Sequence, residues 1–406
     1  MKSAATEPHR RGIYAAVAAA YLAFAGIGIV DPILPVIAAR IGINSWQVEL
    51  LFTAYVAVMA LGMIPAVLLA SRRSNKAILL AGLLLVMLSA TLAASSGTIT
   101  QLAVFRGAWG LGNAMFFATA MTIVVNLARD AEWAVGRWEA AIGLGLATGP
   151  LIGGVLGTVT WRLPFLACGV FMLFALLIAA RAVTEPVGEK RPIRAGEPFR
   201  LFGRPAFAAI AAVAAAYNFC FFVILGYTPL VLHLPAIPLG LAFTGWGAGV
   251  AAGILGLGHP LAHRIGYVRT VGLSLAGILA CLALMGTVSG RAATIAVLVV
   301  SGVFIGLVNA TLTDLALGLT AGAGADRAVT TGAFNLVRWG GAAAAPVVSG
   351  YLGEHAGAAT PFRLAAGVLL AGLVLFAATA RRLAAGMGER TPWSVRSHRR
   401  PVPEAA

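Results

Sequence analysis

Apolar segments about 20 residues long recur along almost the whole chain, with most charged residues in the short stretches between them. A helix needs about 20 apolar residues to cross the hydrocarbon core of a bilayer. Hydrophobic residues make up 60% of the chain and charged residues only 11%, whereas soluble domains carry about 25% charged residues. So few charges cannot cover a water-facing surface, and the sequence therefore predicts an integral membrane protein.

Read at that length, the chain contains about twelve predicted spans. They cover residues 13–38, 46–70, 77–95, 99–128, 134–159, 163–182, 206–232, 238–262, 268–288, 293–319, 328–353 and 361–381. We expect an all-α membrane protein in two six-helix pseudo-repeats. Its predicted parts are a cytoplasmic N-terminal tail (1–12), a first bundle (13–182), a cytoplasmic linker (183–205), a second bundle (206–382) and a cytoplasmic C-terminal tail (383–406).

The basic residues predict the orientation of these spans. Of the 29 Lys and Arg residues, 23 fall in segments on the side of the N-terminus, 4 fall on the other side, and Arg106 and Arg338 lie within spans. Positive charge accumulates on the cytoplasmic side of membrane proteins, so both termini are predicted to be cytoplasmic. This distribution explains the net charge of +15 without a nucleic-acid partner.

The two halves of the sequence resemble each other in corresponding spans. GPLIGG, at Gly149–Gly154, is matched by APVVSG at Ala345–Gly350, and the apolar run from Phe165 is matched by the run from Phe362. Two repeats around a site at the membrane midplane are a common plan for transporters.

Three motifs give the chain a resemblance to the major facilitator superfamily, in particular to its twelve-span drug–proton antiporters. They are GIGIVDPILP (26–35) in the first span, RGAWGLGNA (106–114) in the fourth and GLATGPLIGG (145–154) in the fifth. The resemblance covers residues 13–382 and implies a major-facilitator-like fold. It assigns motif or conformational roles to Pro32, Pro35, Gly110, Gly112, Gly145, Gly149, Pro150, Gly153 and Gly154.

One family motif is degenerate. The loop after the second span reads VLLASRRSNKAIL, with Ser71 where the family carries Asp and Ser74 where it carries Gly. In the family this loop helps to stabilise the inward-closed state. Because two of its residues differ here, the resemblance does not predict that stabilisation for this chain.

The GLATGPLIGG motif has a physical interpretation of its own. Gly145, Gly149 and Gly153 are spaced by four residues and make one helix face flat, so that a neighbouring backbone can approach closely. Pro150 removes a backbone donor and bends the helix. A flat and bent helix suits a rocking interface, although plain packing between membrane helices would use small residues in the same way.

Asp31 and Arg106 are the candidate proton-coupling residues. Asp31 is followed by Pro32, which is a helix-start pattern, so the carboxylate either caps a kinked first span or carries a proton. Arg106 lies several residues inside the fourth span, where an Arg normally faces the protein interior; the alternative is an Arg whose head group reaches the outer membrane surface.

Polar and aromatic residues within the spans predict a substrate cavity that suits lipophilic or amphipathic ligands. The candidates are Asn113, Phe116, Tyr217, Asn218, Phe222, Asn309, Asn335 and Arg338. An ion pair between Asp314 and Arg338 would neutralise both charges. His259 reads as a loop residue, and Glu49 reads as a first-turn residue of the second span.

We therefore expect a secondary active transporter that exports small lipophilic or amphipathic compounds in exchange for protons. The alternatives are a proton symporter or facilitator for a metabolite, a siderophore or peptide exporter, and a non-transporting membrane sensor. No nucleotide-binding, metalloprotease or serine-hydrolase motif is present, so no enzyme, cofactor or metal is expected. The expected partners are the lipid bilayer, a small-molecule substrate and protons, for a monomer in the cytoplasmic membrane.

Overall fold

The structure is a computed structural model that describes residues 7–127, 131–183, 192–288, 290–321 and 326–389. Its regular structure within these ranges is entirely helical, so the predicted all-α class is confirmed. Helices are the expected outcome for apolar segments, because a backbone in lipid must satisfy its own hydrogen bonds. Most of the predicted C-terminal tail, the middle of the predicted linker and the first six residues lie outside the described residues.

The helices follow the apolar segments closely. In the first half they are α1 Glu7–Gly28, α2 Leu34–Ile41, α3 Ser45–Val48, α4 Leu50–Ala70, α5 Asn75–Ala94, α6 Ile99–Leu127, α7 Ala131–Gly157 and α8 Leu163–Ala182. In the second half they are α9 Glu197–Arg200, α10 Pro205–Phe222, α11 Thr228–Leu232, α12 Ala236–Ala252, α13 His259–Ile265, α14 Tyr267–Met285, α15 Arg291–Ala321, α16 Arg327–Ala342, α17 Ala345–Ala356 and α18 Thr360–Gly386.

Ten continuous helical stretches in the described part of the chain are long and apolar enough to cross a membrane. The other two predicted spans, the first and the eleventh, are interrupted helices. The first breaks after Gly28 and resumes through a 3-10 turn that begins at Asp31, while the eleventh breaks between Ala342 and Ala345. Pro32 and Pro346 lie at these breaks, where each lacks the N–H that a continuous helix requires.

The first and seventh spans carry related irregularities, as expected of repeats. In the seventh span α10 passes through a π-helical segment, Val223–Tyr227, into α11, which starts with Thr228 and Pro229. In the first span the turn starts with Asp31 and Pro32. Each of these spans therefore departs from regular α-helical geometry next to a polar residue followed by proline.

The two halves meet along two pairs of long helices, α7 with α12 and α4 with α16. At the end opposite the N-terminus they meet again, because α3 packs on α17 and α11 packs on α2. This arrangement closes one end of the molecule and leaves space between the halves toward the other.

The degenerate loop after the second span holds a segment of the linker. The Ser71 hydroxyl accepts a hydrogen bond of 3.1 Å from the backbone N–H of Ile193. Lys76 donates from Nζ to the carbonyl oxygen of Ala180, at 2.8 Å, at the end of α8. The serine that replaces the family's Asp thus contacts the chain that joins the halves.

Candidate functional site

A cavity of about 240 Å³ lies between the two halves. It runs from Tyr55 and Phe222 toward the end of the molecule at which α6 and α15 finish, where Trp138, Leu317 and Arg327 line it. Elements from both halves form its wall, so movement of one half against the other would change its shape and its access.

The cavity contains five of the residues that the sequence assigned to it. They are Asn218, Phe222, Asn309, Asn335 and Arg338. Asn113 and Tyr217 lie one layer behind the wall: Asn113 donates from Nδ2 to the Tyr55 hydroxyl at 2.7 Å, and Tyr217 is fully buried beneath Arg338. Both therefore support residues that face the cavity.

Phe116 is also buried away from the cavity, where its ring stacks on Trp138 with centroids 5.8 Å apart. The neighbouring Phe117 lines the cavity instead. Consecutive helical residues point about 100° apart, so Phe116 faces the protein core while Phe117, the next residue, faces the cavity.

Aromatic rings link the two halves across the cavity. Phe117 of α6 stacks on Trp339 of α16, with centroids 6.4 Å apart, and Trp339 makes an edge contact with Phe222 at 5.9 Å. Phe24 of α1 completes the group, 5.3 Å from Phe117. Aromatic walls bind apolar and aromatic ligand bodies without demanding one fixed hydrogen-bond pattern.

The structure decides how the charged residues of the cavity are paired. Asp314 lies 3.2 Å from Nε2 of His259, so the ion pair between Asp314 and Arg338 that the sequence left open does not form. His259 is the first residue of α13 and faces α15 rather than lying in a loop. The His259 side chain keeps 32% of its surface exposed and the Asp314 side chain 37%, so solvent reaches the cavity from this end.

Arg338 instead uses a neutral partner. Its NH2 group donates a hydrogen bond to Oδ1 of Asn309, and its guanidinium lies 5.8 Å and 5.7 Å from the ring centroids of Tyr217 and Trp339. Arg338 thus lines the cavity beside neutral groups, and its role toward a substrate stays a prediction.

Arg106 is fully buried inside the first half and does not line the cavity. Its guanidinium lies 4.8 Å from the ring centroid of Tyr55 and 4.5 Å from that of Trp109. The position excludes an Arg that reaches the membrane surface. The backbone of Asp31 begins the 3-10 turn after α1; its side chain lies outside the described residues, and its proton-coupling role stays a prediction.

The glycine face of α7 packs against the backbone of α1. A Cβ atom added to Gly145 would lie 2.7 Å from the carbonyl oxygen of Tyr21. Gly149 approaches the backbone of Ala25 one turn further along, and Gly153 approaches the backbone of Ile29, directly after α1 ends. Ordinary contacts to a Cβ are 3.4 Å or longer. The predicted close approach of backbones therefore occurs here, while the conformational role of these glycines stays a prediction.

A second face of α7 meets α12 of the other half equally closely. A Cβ on Gly154 would lie 2.5 Å from the carbonyl oxygen of Ala236, and one on Gly240 would lie 2.7 Å from that of Pro150. In α6, Gly110 and Gly112 approach α4 and α5 in the same way. Small residues at these positions let the helix backbones approach closely.

Sequence reasoning missed the burial of Glu49. Its side chain is fully buried between the halves at the closed end, where a Cβ on Gly226 would lie 2.6 Å from its Oε2. The available signal was the spacing of three residues from Glu49 to Phe52 and on to Tyr55, both of which are buried. Residues three apart share a helix face, so Glu49 had to face inward with them.

Two helical bundles that enclose an aromatic cavity define a multi-pass membrane transporter. The profile of the Major Facilitator Superfamily matches residues 16–346, and the chain belongs to this family of transporters.

Relatives with assigned functions extend the comparison. Multidrug efflux protein YfmO of Bacillus subtilis is 34% identical over 377 residues, which cover 92% of this chain and 94% of that protein. Quinolone resistance protein NorA of Staphylococcus aureus is 26% identical over 168 residues, 41% of this chain and 43% of NorA. The crystal structure of the human organic anion transporter MFSD10 (TETRAN) has the same fold, with a TM-score of 0.68 at 18% identity, covering 91% of this chain and 99% of that one.

Proposed function

We propose that this chain is a proton-coupled exporter of small lipophilic or amphipathic compounds. The observation that carries the proposal is the aromatic cavity between the halves, in which Phe117, Phe222 and Trp339 surround a few amide groups. The similarity to a multidrug efflux protein over 92% of the chain supports the same direction of transport.

The proposed mechanism is alternating access. The cavity is accessible at the end where Asp314 is partly exposed and is closed at the end where α3 packs on α17. Rocking of one half on the other would exchange these two states around a fixed site. The glycine contacts between α7 and α12 supply an interface with little side-chain interlocking. The excess of Lys and Arg on the N-terminal side supports a cytoplasmic location for the accessible end.

Asp31 is the proposed proton carrier. A carboxylate within a membrane span is costly to keep charged and generally marks an ion or proton pathway. Its position at the break of the first span places it where the helix departs from regular geometry. Arg106, buried in the same half, is permanently charged and supplies a fixed positive field.

The test is export of a fluorescent amphipathic dye into inside-out vesicles that contain the full-length protein. Imposing a pH gradient, acidic inside, should drive dye accumulation, and nigericin, which collapses the gradient, should abolish it. We expect Asp31→Asn to lose gradient-driven dye accumulation while it still folds, because Asn caps a helix as well as Asp does. Its amide cannot take up and release a proton as a carboxylate can.

Asp326→Asn is the matched control. Asp326 caps α16 by accepting a hydrogen bond of 2.7 Å from the N–H of Ala328, and Asn can replace it in that role. This variant should transport normally. Dye uptake that runs with the inward proton flow would identify a symporter, and full gradient-driven export by Asp31→Asn would remove Asp31 from the coupling step.

A further inference from the structure

Arg338 is a membrane-embedded cation in the cavity wall that has no carboxylate partner among the described residues. Its contacts within the described residues are all neutral: the amide of Asn309, the hydroxyl and ring of Tyr217, and the ring of Trp339. Its Nε atom is buried and has no hydrogen-bond acceptor in the described part of the protein. An Arg cannot lose its proton to relieve this situation.

The other cavity charges do not compensate Arg338. Asp314 is the carboxylate among the described lining residues, and its Oδ2 lies 3.2 Å from Nε2 of His259. Arg327, at the start of α16, adds a second positive charge to the lining, but its side chain is exposed and therefore screened. Among the described lining residues, Arg338 is thus a buried positive charge that no carboxylate neutralises.

An unpaired charge at membrane depth is costly, and intramembrane cations normally pair with an anion or line a substrate pathway. Because the chain places no described anion beside Arg338, a ligand anion is the group that would satisfy both its charge and its Nε donor. Arg binds planar oxyanions in well-defined geometry, through hydrogen bonds that are stronger than those between neutral groups.

The walls around Arg338 define the rest of the ligand. Trp339 lies beside the guanidinium and contacts both Phe222 and Phe117, so these three rings form one aromatic wall. The volume of about 240 Å³ is below the usual range of roughly 300–1,000 Å³ for ligand pockets. The site therefore fits a small, flat molecule with one aromatic face and one acidic group.

We propose that the cavity binds small aromatic carboxylates, with the carboxylate at Nε of Arg338 and the ring against the aromatic wall formed by Phe117, Phe222 and Trp339. This inference rests on the proposed export function, because it names the chemical class of the compound that occupies the same cavity.

The test is equilibrium binding to the purified full-length protein in lipid nanodiscs, with 2-naphthoate and 2-naphthamide as probes. The two probes share a ring system and differ in charge. Because a hydrogen bond to a charged group contributes more than one between neutral groups, we expect naphthoate to bind about tenfold to hundredfold more tightly than naphthamide. Quenching of protein tryptophan fluorescence reports binding, since Trp138 and Trp339 line the cavity.

Arg338→Gln should abolish the preference for the acid, because Gln carries no charge, and should weaken naphthamide binding much less than naphthoate binding. Naphthamide binding that stays measurable would show that the variant folds. Arg338→Lys keeps the charge but loses the planar donor set, so its preference should fall between those of the wild type and Arg338→Gln. Arg363→Gln, which removes a cation of α18 whose Nε donates to Gly286 outside the cavity, should retain the full preference.

Equal affinity of the wild type for both probes, or a preference that survives Arg338→Gln, would overturn the anion site. Binding is measured without a gradient, so this outcome is separate from the proposed export function. An acid preference in nanodiscs together with no gradient-driven export in vesicles would instead overturn the export proposal and leave the anion site in place.

Discussion

Substitution of Gly145 by alanine tests whether α1 and α7 really approach through their backbones. The added Cβ would lie 2.7 Å from the Tyr21 carbonyl oxygen, 2.8 Å from Cβ of Phe24 and 2.9 Å from the backbone nitrogen of Ala25. Two of these atoms belong to the backbone of α1 and cannot rotate away. Since ordinary contact begins at 3.4 Å, the helices would have to separate by about 0.7 Å, an overpacking that costs about 1–3 kcal/mol.

A matched variant isolates that cost. Gly367→Ala places the same methyl group in α18, where nothing lies within 4 Å of the new Cβ. Both variants gain the better helix propensity of alanine, about 1 kcal/mol, so their difference measures the clash alone. We expect Gly145→Ala to be less stable than Gly367→Ala by about 1–3 kcal/mol.

The assay is unfolding of the purified protein by SDS in mixed micelles, followed by tryptophan fluorescence, with thermal unfolding in detergent as a second measurement. Gly153→Ala should be more damaging than Gly145→Ala, because the backbone carbonyl of Ile29 lies closer to Gly153 than that of Tyr21 lies to Gly145. Equal stability of Gly145→Ala and Gly367→Ala would refute the close packing of α1 and α7.

Two further predictions concern polar contacts. Asn113→Ala removes the group that donates to the buried Tyr55 hydroxyl at 2.7 Å and should destabilise the protein by about 1–3 kcal/mol. If the lost hydrogen bond is the cause, the same substitution should cost less free energy of unfolding in a Tyr55→Phe background. SDS titration of the four proteins of this double-mutant cycle measures the difference. Glu389→Ala removes the acceptor of two backbone N–H groups at the start of α14, at 2.6 and 3.3 Å, and should cost about 1 kcal/mol. Exposed Glu354 is its control, and equal melting temperatures for Glu389→Ala and Glu354→Ala would contradict the cap.

The comparison of prediction with structure separates two kinds of information. Apolar length located the helices well: the fourth predicted span, 99–128, became α6 at Ile99–Leu127, and the seventh, 206–232, became α10 to α11 over Pro205–Leu232. The interruptions of the first and eleventh spans also had a sequence signal, in Pro32 and Pro346, because proline removes a backbone donor wherever the chain folds.

The partners of the cavity residues had no such signal. His259 and Asp314 are 55 positions apart, and Arg338 meets Asn309 rather than Asp314. Helical periodicity tells which residues share a face, but it does not tell which neighbouring helix that face meets or at what height. For the same reason Glu49 could be recognised as inward-facing from its spacing to Phe52, while its burial against Gly226 of the other half could not.

By itself the sequence determined the membrane location, the helical class, the near-complete set of spans and the glycine-rich face of α7, since these follow from hydrophobicity and local geometry along one segment. Tertiary structure alone decided which charges are paired in the cavity. Asp314 is engaged by His259, whereas Arg338 has a neutral amide and two aromatic rings as its neighbours. That outcome depends on the relative height and rotation of α13, α15 and α16, which only the packing of the whole second half specifies.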